Sequence, residues 1–208
     1  DWHEEWDERP TAEQAALKAR QGVKYQVQEE FFVANPDTLK PVPADGETMG
    51  ELMFRGNVVM KGYLKNPKAT DESFKGGFFH TGDLGVTHPD GYVEIRDRSK
   101  DVIKSGGEWI SSIDLENTAV GHPGLAECCV IGARHPKWDE RPILLAIKNE
   151  GADVDEASVL EYLEGKIAKW WMPDAVIFVE SLPHTATGKL LKIDLRKDYE
   201  NYLIENAN

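Results

Sequence analysis

Asp97-Arg98-Ser99-Lys100-Asp101-Val102-Ile103-Lys104-Ser105-Gly106-Gly107-Glu108 is the stretch where the chain changes its pattern. Just inside it, a short strand over 101–104 faces another over 108–111 across Ser105-Gly106-Gly107, the composition of a tight hairpin, because glycine supplies the positive φ such turns need. Ser111 and Asp114 then cap a helix running to about residue 120. Apolar runs at 125–131 and 143–147 read as buried strands, and 176–179 as a third. A helix over 156–169 places Val159, Leu160, Leu163 and Ile167 on one face, and a last helix covers 193–204. Upstream the grammar is β. Strands over 25–34, 51–55, 78–81 and 92–96 are separated by Asn35-Pro36-Asp37, Ala44-Asp45-Gly46 and Pro89-Asp90-Gly91, residues that favour turns. A helix over 11–21, with Thr11 and Gln14 at capping-box spacing and Gly22 as its stop, precedes them. The fold class is α+β: a small β-rich, barrel-like subdomain over 1–97, then a compact α+β domain over 98–208.

Composition supports a folded chain and narrows its partners. Of 208 residues, 40% are apolar and 29% charged, with six Trp, six Tyr and seven Phe, enough material for a core without disulfide staples. The formal charge of -13 repels a phosphate backbone, so nucleic acid is not an expected partner. The acidity is spread: 18 acids against 11 bases lie before residue 98, and 19 against 13 from there on. The only cysteines, Cys128 and Cys129, are adjacent inside an apolar run, which suits neither a structural disulfide nor a metal cluster and fits a reducing cytoplasm. No apolar run nears the roughly 18 residues of a membrane span, and the opening Asp-Trp-His-Glu-Glu is not a secretion leader.

Four segments could carry chemistry. Phe79-His80-Thr81-Gly82-Asp83-Leu84-Gly85 sets a carboxylate on a glycine-flanked turn, where it can accept hydrogen bonds from two vicinal ribose hydroxyls; alone it reads as a β-turn. In 97–108 the cations meet a glycine pair that lets a thin ligand approach the backbone, although such glycines are ordinarily a plain hairpin turn. Leu182-Pro183-His184-Thr185-Ala186-Thr187-Gly188-Lys189 resembles a phosphate-binding loop only superficially. Pro183 occupies the place of its first glycine and Leu190 follows the lysine, so a Walker loop is rejected. Met49 to Gly56, running into Met60-Lys61-Gly62-Tyr63-Leu64, is by itself a strand and a turn.

In series, Gly50-Glu51-Leu52, Gly62-Tyr63, His80 to Gly85, Asp97 to Gly107 and Thr187-Gly188-Lys189 resemble the adenylate-forming superfamily of acyl-CoA synthetases, acyl-adenylating domains and luciferases. The resemblance extends from about Gln28 to Lys192. Within the superfamily, Gly107 to Ser111 and Lys169 to Pro173 resemble the medium-chain fatty acyl-CoA and methylmercaptopropionate-CoA ligases. It implies that Asp83 binds the nucleotide ribose and that Arg98 also contacts the sugar. Lys100 is then the hinge about which a mobile C-terminal domain turns. Lys189 reaches the reacting carboxylate and α-phosphate, with Lys104 assisting either step, while Ser105, Gly106, Gly107 and Glu108 line the pantetheine tunnel in the second state. ATP, AMP, a carboxylic acid and coenzyme A are the implied ligands.

Two family elements are absent, the Ser/Thr/Gly-rich phosphate loop and the aromatic-Gly-x-Thr-Glu segment that helps hold adenine and Mg2+. Both normally lie N-terminal to everything here, so the chain reads as a C-terminal piece that is inactive alone, with the Mg2+ ligands largely outside it and no metal site within it. Trp109 stands where many relatives carry Asn. Trp170 and Trp171 have core packing as their default role. A homodimer is compatible with the sequence. The rival readings are an adenylating enzyme whose acceptor is a carrier-protein arm or oxygen, and a noncatalytic nucleotide-binding or interaction module.

Overall fold

Alternating apolar residues build the first sheet. β1 (Glu30–Ala34), β2 (Gly50–Arg55), β3 (Phe79–Thr87) and β4 (Val93–Arg98) lie in that order, each antiparallel to the next. Pairing of Val33 with Leu52 and of Phe31 with Phe54 puts a buried cluster on one face, completed by Val93. Met53, Ala34 and Leu84 are buried on the other. The sheet is open, with β1 and β4 as its edges.

The computed structural model describes residues 2–20 and 22–206. The chain divides into two compact units between Ser99 and Lys100. In the first, α1 (Thr11–Ala19) begins one residue earlier than a capping box on Thr11 requires: Pro10 is the N-cap. Gln14 donates instead to the carbonyls of Asp7 and Arg9, at 3.0 and 2.9 Å. The expected helix end at Gln21 lies outside the described residues. The expected strand over 25–34 is paired only from Glu30 on, because Gln28 turns back to donate its N–H to the Tyr25 carbonyl at 2.9 Å. An additional helix, α2 (Pro67–Ser73), is capped by Asn66, whose Oδ1 accepts from the Ala69 N–H at 3.1 Å, with Pro67 at the first position, where a missing N–H costs nothing.

The second unit starts with the hairpin of β5 (Ile103–Ser105) and β6 (Glu108–Ile110), followed by α3 (Ser112–Ala119). Ser111 Oγ caps that helix by accepting from the Asp114 N–H at 3.1 Å. β7 (Leu125–His135) and β8 (Asp139–Lys148) form a long antiparallel ladder; β5 joins β8 at Ser105–Asp139, and β9 (Ala175–Phe178) pairs parallel with β8 from Ile143 to Ala146. The sequence marks only the apolar centres of the long strands. Pairing continues through the polar ends as far as Arg134–Glu140 and His135–Asp139.

Helices cover both faces of this sheet. α3 and α4 (Glu156–Leu163) contribute Leu115, Ala119, Val159 and Leu163 to one layer with Cys128, Val130, Leu144 and Ala146. α5 (Lys192–Tyr199) and α6 (Tyr202–Glu205) contribute Leu195, Tyr202 and Leu203 to the other, with Cys129, Ile131, Ile143 and Leu145. α4 ends at Leu163 instead of 169, because Glu164 turns extended and Gly165 takes a φ of +73°. The last helix is split: the Glu200 carbonyl accepts from the Arg134 N–H of β7 at 2.7 Å, and Ile204 donates to Asn201 instead. No helix among the described residues is long and apolar enough to cross a membrane.

Candidate functional site

Asp83 sits at an irregularity in the first sheet. Glu51 pairs with Leu84 but Met53 pairs with His80, so β3 carries extra residues at 81–83 and bulges there. Gly82 allows this with a φ of +72°, in the left-handed region that side chains disfavour. The bulge is held from β2. Glu51, nearly buried, accepts from the Gly82 N–H through Oε1 at 2.9 Å and meets His80 Nδ1 through Oε2 at 2.9 Å. Thr81 Oγ1 donates to the Leu52 carbonyl at 2.9 Å and accepts from the Asp83 N–H at 3.0 Å. His80 Nε2 meets the Lys75 carbonyl at 3.0 Å.

This scaffold presents Asp83 beside Arg98, its direct cross-strand partner, with Nε 2.9 Å from Oδ1. The pair is part-exposed, so its carboxylate edge and the guanidinium are available to hydroxyl groups of a ligand. Next to it Asp97 is fully buried and accepts from the Arg98 N–H at 2.7 Å.

In the second unit the Ser105–Glu108 turn has two unlike sides. Gly106 and Gly107 both have positive φ, +60° and +93°, as a two-residue hairpin turn requires. Gly106 donates its N–H to the Trp138 carbonyl at 2.8 Å, and a Cβ on it would stand 2.9 Å from Trp138 Cε3 and 3.3 Å from Trp170 Cζ2. A Cβ on Gly107 would meet nothing within 4 Å. Ser105 is fully buried and its Oγ accepts from Arg141 Nη1 at 3.3 Å. Thus Gly107 and Glu108 face open space, whereas Ser105 is buried and Gly106, though itself exposed, has its Cβ direction closed by Trp138 and Trp170, so the turn has an open and a sealed side.

Arg141 on β8 pins this turn. Besides Ser105, it donates to the carbonyls of Trp170 and Met172 at 2.8 and 2.9 Å and to Asp174 from both Nε and Nη2, using all five guanidinium N–H groups. Trp138 and Trp170 meet edge to face, with centroids 4.8 Å apart. Lys104 lies opposite Trp109 in the hairpin with its side chain exposed, and its N–H donates to Glu140 at 2.9 Å.

Lys189 lies near the tip of a small hairpin, side chain exposed. Thr185 holds both of its backbone groups: the Thr185 N–H donates to the Lys189 carbonyl at 2.7 Å, and the Lys189 N–H donates to Thr185 Oγ1 at 3.1 Å. His184 and Leu190 bridge just behind it. His184 Nε2 meets Glu127 of β7 at 2.7 Å and Nδ1 meets the Leu182 carbonyl at 2.9 Å. Three residues beyond Lys189, Lys192 donates to Glu116 and Ser112 of α3, at 2.8 and 2.7 Å.

The glycine turn and the lysine hairpin belong to opposite ends of one ladder. Ser105 pairs with Asp139 at the start of β8, while Glu127, on which His184 rests, pairs with Ile147 near its end. Eight residues of strand separate those two points, or about 27 Å at ~3.4 Å per residue. Lys100 is exposed between two residues tied elsewhere: Ser99 donates to the Gly82 carbonyl at 2.9 Å, and Asp101 pairs with Arg196 of α5.

Sequence reasoning gave no role to Glu51, Arg141 or His184. The signal for Glu51 is an acid at the head of the apolar run Leu52-Met53-Phe54. Arg141 and His184 carry none. No group of three His, Cys, Asp or Glu is placed together to hold a metal among the described residues. Burial, seconded by Glu116, pushes the Cys128 thiol up to about 12 and Cys129 higher still, which leaves both unreactive.

The first unit thus carries the part-exposed Asp83–Arg98 pair, and the second the glycine turn and the lysine hairpin. Residues 114–189 match the AMP-binding enzyme C-terminal domain. It is 50% identical over 200 residues to an acetate–CoA ligase of Humulus lupulus, covering 94% of this chain and 35% of that protein. It is likewise 50% identical over 194 residues to a 3-methylmercaptopropionyl-CoA ligase of Ruegeria lacuscaerulensis, covering 93% and 35%. The crystal structure of ATP-bound MatB from Rhodopseudomonas palustris superposes with a TM-score of 0.79 at 35% identity, over 88% of this chain and 36% of that one. The chain therefore spans about a third of the length of the relatives it matches.

Proposed function

We propose that this chain serves a longer enzyme that joins a carboxylic acid to coenzyme A at the expense of ATP. In the first step a carboxylate oxygen attacks the α-phosphorus and pyrophosphate leaves. In the second the thiol sulfur attacks the acyl carbon of the mixed anhydride, AMP leaves and the thiol proton passes to solvent. Asp83 and Arg98 hold the ribose. Lys189 supplies an ammonium where charge gathers on the nonbridging oxygens of the first transition state. The open side of the Ser105–Glu108 turn, at Gly107 and Glu108, borders the pantetheine arm in the second, with Lys104 beside it. The acid is aliphatic, of the medium-chain class suggested by 107–111 and 169–173, and the compartment is a reducing one, the cytoplasm. Mg2+ is bound by residues outside this chain.

The observation that carries this reading is the separation of about 27 Å between the two loops along one rigid ladder. One site cannot use both loops at once, so the unit from Lys100 onward must present them in turn, with Lys100 absorbing the backbone change. In the full-length parent, Lys189→Ala should lower carboxylate-dependent ATP–pyrophosphate exchange at least 100-fold more than thioester formation from supplied acyl-adenylate, the order expected for a transition-state donor. Equal loss in both half-reactions would contradict it.

A further inference from the structure

A lysine side chain has four freely turning carbons, so the accuracy with which its ammonium reaches a reacting atom depends on how firmly its own backbone is held. Lys189 is exposed, and the bonds that hold it are those of the hairpin backbone. Thr185 clamps the Lys189 N–H and carbonyl, and the Leu191 N–H donates to the Pro183 carbonyl at 2.8 Å. Those bonds make the hairpin a unit. Leu182 and Leu190 seat its base in the apolar layer against β7, and two polar contacts, one on each side of Lys189, fix its orientation. His184 reaches Glu127 on β7 at 2.7 Å, and Lys192 reaches Glu116 on α3 at 2.8 Å. Glu116 in turn accepts from the Val130 N–H of β7 at 2.8 Å, so both contacts end on the same strand.

The two contacts differ in kind. Lys192 and Glu116 have side chains only 10% and 15% exposed, so this pair sits in the layer between helix and sheet. Burial raises the Glu116 carboxyl, and the Lys192 ammonium works against that. His184 and Glu127 are a third exposed, and both His184 nitrogens face acceptors, a carboxylate and a carbonyl. A ring in that position orients Thr185, the next residue, and through it Lys189.

We propose that His184 and Lys192, seated on Glu127 and Glu116, are positioning residues that fix the Lys189 hairpin for the adenylation step. The inference rests on the adenylation role given to Lys189. A displacement of about 1 Å at a reacting group costs on the order of 100-fold in rate, so a loosened mount should lower kcat and leave ground-state binding alone.

The test uses the full-length parent with His184→Ala, His184→Arg and Lys189→Ala. His184 is chosen because its pair is partly exposed and its loss should leave the fold intact, which the unfolding midpoint verifies. His184→Ala should lower kcat for carboxylate-dependent ATP–pyrophosphate exchange by about 10- to 100-fold with KM for ATP within twofold. His184→Arg, which keeps a hydrogen-bond donor within reach of Glu127, should recover most of the loss. Thioester formation from supplied acyl-adenylate should fall far less. Wild-type exchange in His184→Ala, or loss without recovery in His184→Arg, overturns the positioning role while Lys189→Ala remains inactive. Wild-type exchange in Lys189→Ala overturns the adenylation role itself.

Discussion

Gly106 offers a direct test of how the glycine turn is held. Gly106→Ala puts a methyl group 2.9 Å from Trp138 Cε3 and 3.3 Å from Trp170 Cζ2, at a backbone φ of +60°. The conformation alone costs about 1–2 kcal/mol for a residue with a Cβ. Overpacking adds about 1–3 kcal/mol, because neither ring is free to give way. Trp138 and Trp170 brace one another, and Arg141 lies over the Trp170 ring at 4.8 Å. The expected loss is therefore about 2–5 kcal/mol. Gly107→Ala is the internal control: its φ of +93° carries similar strain, but its methyl would meet nothing within 4 Å, so the loss should stay near ~1–2 kcal/mol. Denaturant unfolding followed by tryptophan fluorescence reads the second unit, since four of the six tryptophans lie there. If Gly106→Ala is no worse than Gly107→Ala, the turn is not packed on the tryptophan pair and the division into a sealed and an open side is wrong.

Glu51→Ala should destabilise the first unit by about 2–4 kcal/mol, because it strips the Gly82 N–H and His80 Nδ1 of their shared acceptor; a change under about 0.5 kcal/mol in chemical unfolding would refute the clamp on the bulge. Thiol titration at pH 8 should find neither cysteine in the native chain and both after unfolding, since burial holds Cys128 near 12 and Cys129 above it; rapid native labelling of either would contradict their placement.

What the sequence discloses is local. Ser105-Gly106-Gly107 announces a hairpin, and Ser111 announces a helix start, because each acts within three residues of itself. Asp83 and Arg98 are recognisable as members of ordered motifs, but their meeting depends on bulges on both sides of β3, which no spacing rule shows. The supporting residues are harder still. Glu51 reaches across 31 positions to Gly82, Arg141 across 33 to Asp174, and His184 across 57 to Glu127. Each looks like an ordinary polar residue until the fold closes the distance. The split at Glu200 is illegible for the same reason, being caused by an N–H from β7.

Cys128 and Cys129 point into opposite layers of the second unit, one packed with α3 and α4, the other with α5 and α6. A strand that is apolar on both faces has lost the usual safeguard against slippage, since moving it by one residue exchanges one greasy face for another. The pairing of β7 with β8 must then be enforced by its polar attachments. Glu116 on the Val130 N–H is one, and the tight fit of Gly132, where a Cβ would stand 2.9 Å from Glu140, is another. A slip of one position would move the lysine mount about 3.4 Å relative to the glycine turn. The span between the two loops is thus a length measured out in residues, and insertions are tolerable in the connections of this unit but not along β7.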